Sequence, residues 1–176
     1  LSSISSRDGN ITSDFSYHYK QGTSDNNWVR TETDFGSFNQ ISFNFLDGLG
    51  RSIQQIKQQH SDDATPKDVY TATRFDKYGR PIESFVPLKS GLSNGVFVSS
   101  LPAADDVKTV IRFEASPLNK VLGVTPPGWF ENKTEYAVND HAMLIGAIHY
   151  PAGSLSKVIT LAPNHAVGSC RTTDFQ

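Results

Sequence analysis

One cysteine and one methionine occur in 176 residues, and neither sign of charge is in excess: 16 Lys and Arg against 18 Asp and Glu leave a formal net charge of −2. A lone Cys170 cannot build an intrachain disulfide framework or a cysteine-based zinc site. The near-neutral balance removes the basic footprint of a nucleic-acid binder or an anionic-membrane ligand. No apolar run approaches the roughly 18 residues that a membrane-spanning helix needs. Leu1 to Ser6 show neither an initiator Met nor a charged segment followed by an apolar one, so this start reads as the product of processing or fragmentation. Thr172 to Gln176 carry no address or anchor motif.

Motifs for chemistry are equally scarce. The Gly-x-Ser-x-Gly elbow and both glycine-rich phosphate loops are missing. His165 precedes Cys170 by five residues, but proximity along the chain does not make a dyad, and Cys170 reads as structural. His18, His60, His141, His149 and His165 contain no pair at helical zinc spacing, although His141 and His149 fit on neighbouring strands. Asp62-Asp63 and Asp105-Asp106 sit among residues that suit solvated loops or a helix start. The expectation is a protein that is not an enzyme and uses no cofactor and no metal.

What is present is strand chemistry. Eleven Phe, six Tyr and two Trp supply the apolar surface of a packed core. Thr, Val, Ile, Phe and Tyr runs are broken every ten or so residues by Gly, Asn, Asp, Ser or Pro. Ile41, Phe43 and Phe45 alternate with Ser42 and Asn44, which places three large side chains on one face of a strand. Segments 107–114, 133–138, 143–150 and 157–161 read as strands too, and the apolar stretch 142–148 reads as a central one. Pro102 to Lys108, with Asp105-Asp106 near its start, is the best helix, of one or two turns. Segments 62–66, 90–95 and 126–128 read as loops. The fold class is therefore all-β, an antiparallel, hairpin-rich sheet in the form of a repeat strip or a compact domain, with at most one or two short helices. Residues 1–40 form an N-terminal arm or edge strands, and 41–176 form a β region in one domain with them.

A short repeat stands out. Leu46-Asp47-Gly48-Leu49-Gly50-Arg51-Ser52-Ile53 aligns with Phe75-Asp76-Lys77-Tyr78-Gly79-Arg80-Pro81-Ile82 at an offset of 29 residues. Repeats of about 20 to 50 residues mark arrays whose units bury apolar faces against each other. Asp at the start of a turn accepts backbone N–H groups, and Gly three positions later takes positive φ cheaply, so Asp-x-x-Gly closes a hairpin. Arg51 and Arg80 then lie within reach of the Asp carboxylate or an aromatic face. Asp47, Gly50, Arg51, Asp76, Gly79 and Arg80 are assigned to turns on this ground.

On these residues the chain resembles the RHS or YD-repeat proteins, whose unit reads Tyr-Asp-x-x-Gly-Arg, with Leu46 and Phe75 in place of the Tyr. Phe113-Glu114-Ala115-Ser116-Pro117-Leu118-Asn119-Lys120-Val121-Leu122, Pro127-Gly128 and Tyr150-Pro151-Ala152-Gly153-Ser154-Leu155 are similar to the N-terminal region of large secreted members from Bacteroidota-type bacteria. The resemblance implies a β-sheet strip that spirals into a shell around a C-terminal toxin or other cargo, or a surface protein for adhesion or signalling. It implies secretion or a cell-surface location, with partners in the rest of the polypeptide or an encapsulated cargo domain. The family's self-cleavage region has no match here, so no catalytic residue is carried over.

The aromatic residues allow a second reading. Trp28, Trp129, Phe130 and Tyr136 suit a core, yet Trp28 follows the polar run Thr23-Ser24-Asp25-Asn26-Asn27, which can hydrogen-bond a ligand beside a stacking ring. The alternative function is a secreted carbohydrate-binding β-domain using Trp28, Asp25, Asn27 and Trp129, with a glycan as partner. Asn10-Ile11-Thr12 and Asn132-Lys133-Thr134 match the glycosylation sequon, which has meaning only in a eukaryotic secretory setting.

Overall fold

The computed structural model describes residues 2–5, 12–18, 26–116, 118–138, 141–145, 148–153, 156–161 and 171–175. It is all-β, and the described residues hold no α-helix. The strands are β1 (Ser2–Ser5), β2 (Thr12–His18), β3 (Asn27–Asp34), β4 (Asn39–Leu46), β5 (Ser52–Lys57), β6 (Val69–Phe75), β7 (Pro81–Phe85), β8 (Leu88–Lys89), β9 (Lys108–Phe113), β10 (Val121–Thr125), β11 (Asn132–Val138), β12 (Met143–Ile145), β13 (Ile148–Tyr150), β14 (Ser156–Leu161) and β15 (Arg171–Phe175). The chain forms two compact units, Leu1–Val107 and Lys108–Gln176.

The first unit is an antiparallel meander in the order β1 to β7, with β8 beside the start of β6. The described part of the N-terminal segment is sheet: β1 pairs with β2, and β2 with β3. Register sorts the side chains. Trp28 opposes Phe45, Phe43 opposes Ile56, Phe45 opposes Gln54, and Ile56 opposes Tyr70. Residues directly across a ladder share a face, so the alternation seen at Ile41, Phe43 and Phe45 continues across neighbouring strands as one apolar face. Phe45, Ile56 and Tyr70 are its buried centre.

A single sheet face needs a cover, and here residues 90–104 supply it as an extended strap with no ladder of its own. Phe97, Val98 and Leu101 pack on the Phe45, Ile56 and Tyr70 cluster. Gln54, 2% exposed, holds the strap as a backbone would: its Oε1 accepts the Val98 N–H at 2.8 Å, and its Nε2 donates to the Val98 carbonyl at 3.0 Å. Asp68, 1% exposed, accepts the Gly95 N–H at 2.6 Å and the Gln59 N–H at 2.9 Å. Gly95 has φ of +70°, and a Cβ there would fall on the Phe43 ring. Glycine is therefore required where the strap meets the sheet.

In the second unit β9, β10, β11, β14 and β15 pair antiparallel in that order, and Ile159 is buried. β12 and β13 form a separate two-stranded hairpin. This corrects the expectation of a central strand over 142–148: Ile145 pairs with Ile148, so the apolar run straddles a reversal, and Ile148 is exposed. The expected helix at Pro102 to Lys108 is reduced to a 3-10 turn at Asp105–Val107. The β-branched run that follows Lys108 takes its hydrogen bonds from β10 instead.

Candidate functional site

The most ordered chemistry lies at the hairpin corners. Between β4 and β5, the Asp47 N–H donates to the Arg51 carbonyl and the Gly50 N–H to the Asp47 carbonyl. Asp47 Oδ1 accepts the Leu49 and Arg51 N–H groups, each at 2.9 Å, and Oδ2 accepts Arg51 Nε at 2.6 Å. Between β6 and β7, Asp76 does the same with Tyr78 N–H at 2.8 Å, Arg80 N–H at 3.0 Å and Arg80 Nε at 2.7 Å. Gly50 and Gly79 have φ of +77° and +84°. Each carboxylate is thus saturated by its own turn, which is the ordinary work of an Asx corner.

Electrostatics follow the geometry. Partial burial pushes the Asp47 carboxyl up, but the Arg51 side chain and the Arg51 and Leu49 N–H groups outweigh it and hold the group below its ordinary value. At Asp76 the same opposition is won by the Arg80 and Tyr78 N–H groups and the Arg80 side chain. Both carboxylates are therefore anionic and occupied at neutral pH, which suits neither a general acid nor a free base.

The two corners also touch. The Arg51 guanidinium lies over the Phe75 ring, 4.4 Å from its centroid, and a Cβ on Gly79 would fall 2.8 Å from Arg51 Nη1. The cation of the first corner is packed on the aromatic that opens the second.

A third corner joins β9 to β10. Its Glu114 N–H donates to the Lys120 carbonyl at 3.0 Å, and Glu114 Oε1 accepts the Lys120 N–H at 3.3 Å and the Ser116 hydroxyl at 2.6 Å. Asn119, φ +56°, stands immediately before Lys120 as Gly50 and Gly79 stand before their arginines. Aromatic, acid, left-handed residue and base recur in order, with two extra residues inside the turn. Sequence reasoning did not read it as a corner because the Asp, Gly and Arg are all replaced and the spacing is longer; Phe-Glu followed by Asn-Lys was the available signal.

The aromatic candidates are distributed differently from their expected roles. Trp28 packs against the core, stacked on His18 at 5.3 Å and set edge-on to Phe43 at 5.6 Å. Asn27 begins β3 beside it, paired with Leu46, and Asp25 lies outside the described residues. Trp129, Phe130 and Tyr136 do not fill a core: they are 64%, 66% and 39% exposed. The Trp129 N–H closes a turn on the Pro126 carbonyl at 3.1 Å, so Trp129 and Phe130 follow the Pro-Gly bend at the end of the β10–β11 hairpin. Trp28 belongs to the first unit and Trp129 to the second.

Among the other candidates, Asp62 and Asp63 are engaged by Lys89 Nζ at 2.7 and 2.9 Å. His60, His141 and His149 are exposed, and no group of three metal-capable side chains converges among the described residues. His165, Cys170 and Asn10 lie outside them.

The family whose description is Domain of unknown function (DUF6443) matches residues 15–141. The chain belongs to that family. No curated protein matches the chain, and no solved structure does. The DUF6443 match runs from β2 past β11 and so contains all three corners, the strap and the apolar face beneath it. Gln54 and Asp68, the buried polar pair that fixes the strap, were invisible to pattern reading because a polar residue in a strand or at its start reads as solvent-facing.

Proposed function

We propose that the chain is a non-catalytic structural β-domain, a segment of a longer antiparallel strip of the RHS/YD-repeat kind, carried by a secreted or cell-surface protein. Its partners are neighbouring repeats of the same polypeptide and the cargo or receptor that such a strip encloses or presents. One observation carries the reading: Arg51 of one corner seats on Phe75 and against Gly79 of the next. A contact in which one unit supplies the cation that covers the following unit's aromatic is a nearest-neighbour interface, the term that stabilises repeat arrays. The corner carboxylates are consumed by turn hydrogen bonds, which leaves them to geometry rather than reaction.

The structural reading is favoured over glycan binding at Trp28 because His18 and Phe43 already occupy that ring. Reading the parent open reading frame tests the proposal. Further aromatic-Asp-x-x-Gly-Arg units at comparable spacing are expected beyond residue 176. A frame that holds no further units of this kind overturns it.

A further inference from the structure

The strap contains a dipeptide whose chemistry its covering role does not use. Among the described residues, Asn or Asp stands directly before Gly at Asp47-Gly48 and at Asn94-Gly95. In such a pair the glycine nitrogen can attack the preceding side-chain carbonyl carbon, since no Cβ hinders the close approach. Asn94 is exposed and no hydrogen bond holds its side chain, whereas Gly95 is buried.

The surroundings of the Gly95 nitrogen are specific. Its N–H donates at 2.6 Å to Oδ2 of Asp68, a residue 1% exposed. The Asp68 backbone is pinned to the same strap: its N–H donates to the Leu92 carbonyl at 2.9 Å, and its carbonyl accepts the Ser90 N–H at 2.8 Å. Oδ1 accepts the Gln59 N–H, and no lysine or arginine pairs with the carboxylate among the described residues. A fixed carboxylate within hydrogen-bond reach of the proton to be removed is placed as a general base. The N–H bond lies in the plane of its peptide, and the nitrogen attacks perpendicular to that plane, so the anchor leaves the path of attack open.

We infer that Asn94-Gly95 is a self-modification site, where Asp68 assists cyclisation of the Asn94 side chain onto the Gly95 nitrogen. The bond from the Gly95 nitrogen to Asn94 Cγ forms as the N–H proton passes to Asp68. The Cγ–Nδ2 bond then breaks, and Asp68 returns the proton to the departing ammonia. Water opens the resulting cyclic imide on either side, leaving an aspartyl or an isoaspartyl residue in place of Asn94. The isoaspartyl product lengthens the main chain by a carbon atom where Gly95 is wedged between Asp68 and the Phe43 ring. Modification therefore slackens the strap over Phe45, Ile56 and Tyr70. Asp47-Gly48 supplies the contrast: Leu49 and Arg51 hold the Asp47 carboxylate in its anionic form, which is a poor electrophile without a leaving group.

Peptide mapping by mass spectrometry tests the inference on the 176-residue protein, incubated at neutral pH in buffer and in guanidinium chloride. Conversion at residue 94 is expected to run about a hundredfold faster in the folded chain than in the unfolded one, the lower end of what a positioned base supplies. Asp68→Asn keeps an oxygen acceptor but no base and should lose that excess, with circular dichroism checking that the variant keeps its sheet. The folded-against-unfolded comparison of the unsubstituted chain decides the matter where Asp68→Asn does not fold. Amide exchange at Val98 should accelerate as the protein ages and hold steady in Asn94→Gln. A folded rate no faster than the unfolded one overturns the inference. So does a folded Asp68→Asn that converts as fast as the unsubstituted protein, or Val98 exchange that ages alike with and without Asn94→Gln.

Discussion

The guanidinium of Arg51 lies 4.4 Å from the centroid of Phe75, on the far side of a two-strand excursion from the hairpin that Arg51 itself closes. Arg51 is already bonded to Asp47, so its charge is oriented before it meets the ring. One residue thus serves two corners, the one it ends and the one it covers.

A double-mutant cycle measures that coupling. Arg51→Ala and Phe75→Leu, alone and together, should show an interaction of about 0.5–1 kcal/mol in urea unfolding, the range for a partly exposed cation–π pair. Arg80→Ala with Phe75→Leu should be additive within about 0.5 kcal/mol, because the Arg80 guanidinium lies over Tyr78.

The strap should fail at its buried polar anchors. Gln54→Leu keeps the volume but strips the partners from Val98 N–H and C=O, and should cost about 1–3 kcal/mol per group left unsatisfied. Gly95→Ala combines positive φ with overlap on Phe43 and should cost about 2 kcal/mol or more, whereas Gly48→Ala, with open space around it, should stay within about 0.5 kcal/mol. Amide exchange at Val98 is expected to accelerate in both strap variants and to stay unchanged in Gly48→Ala.

Acid should loosen the corners. Asp47 and Asp76 titrate below the ordinary 3.8 in the folded chain, so the stability they contribute is present above that value and is lost as pH falls through their lowered values. Asp62 and Asp63, held down by Lys89, add to the same limb. The urea midpoint is expected to be flat from about pH 7 to 5 and to fall below about pH 4. Asp47→Asn with Asp76→Asn should lower the plateau and shrink the fall. Lys89 is raised by Asp62 and Asp63, so its contribution holds below 10.5 and is lost as pH rises through the raised value.

The third corner has its own test. Asn119 sits at φ +56°, a conformation that asparagine tolerates and β-branched residues do not. Asn119→Val should cost about 1–2 kcal/mol, and Asn119→Gly should be neutral within about 0.5 kcal/mol, read from thermal unfolding.

Local rules made parts of this protein readable from its residues. A turn is a contract between neighbours, so Asp47 to Arg51 and Asp76 to Arg80 announce themselves, as does the two-residue period of Ile41, Phe43 and Phe45. The 142–148 run was not readable in the same way, because an apolar stretch has the same composition whether it runs through a sheet or bends back on itself. That Trp28 is packed and Trp129 exposed was unreadable for a related reason: an aromatic's burial depends on what lies across from it.

The amino-acid sequence by itself determined the all-β class and the place of two corners, and left these 176 residues without a pair of cysteines or an apolar run long enough for a spanning helix, since these follow from composition and from contacts within a few residues. Only the tertiary structure decided that residues 90–104 cover the apolar face, that Gln54 and Asp68 are interior anchors, and that Arg51 reaches Phe75. Each joins groups more than twenty residues apart, and which distant groups meet is fixed by strand register and the free energy of burial, not by adjacency along the chain.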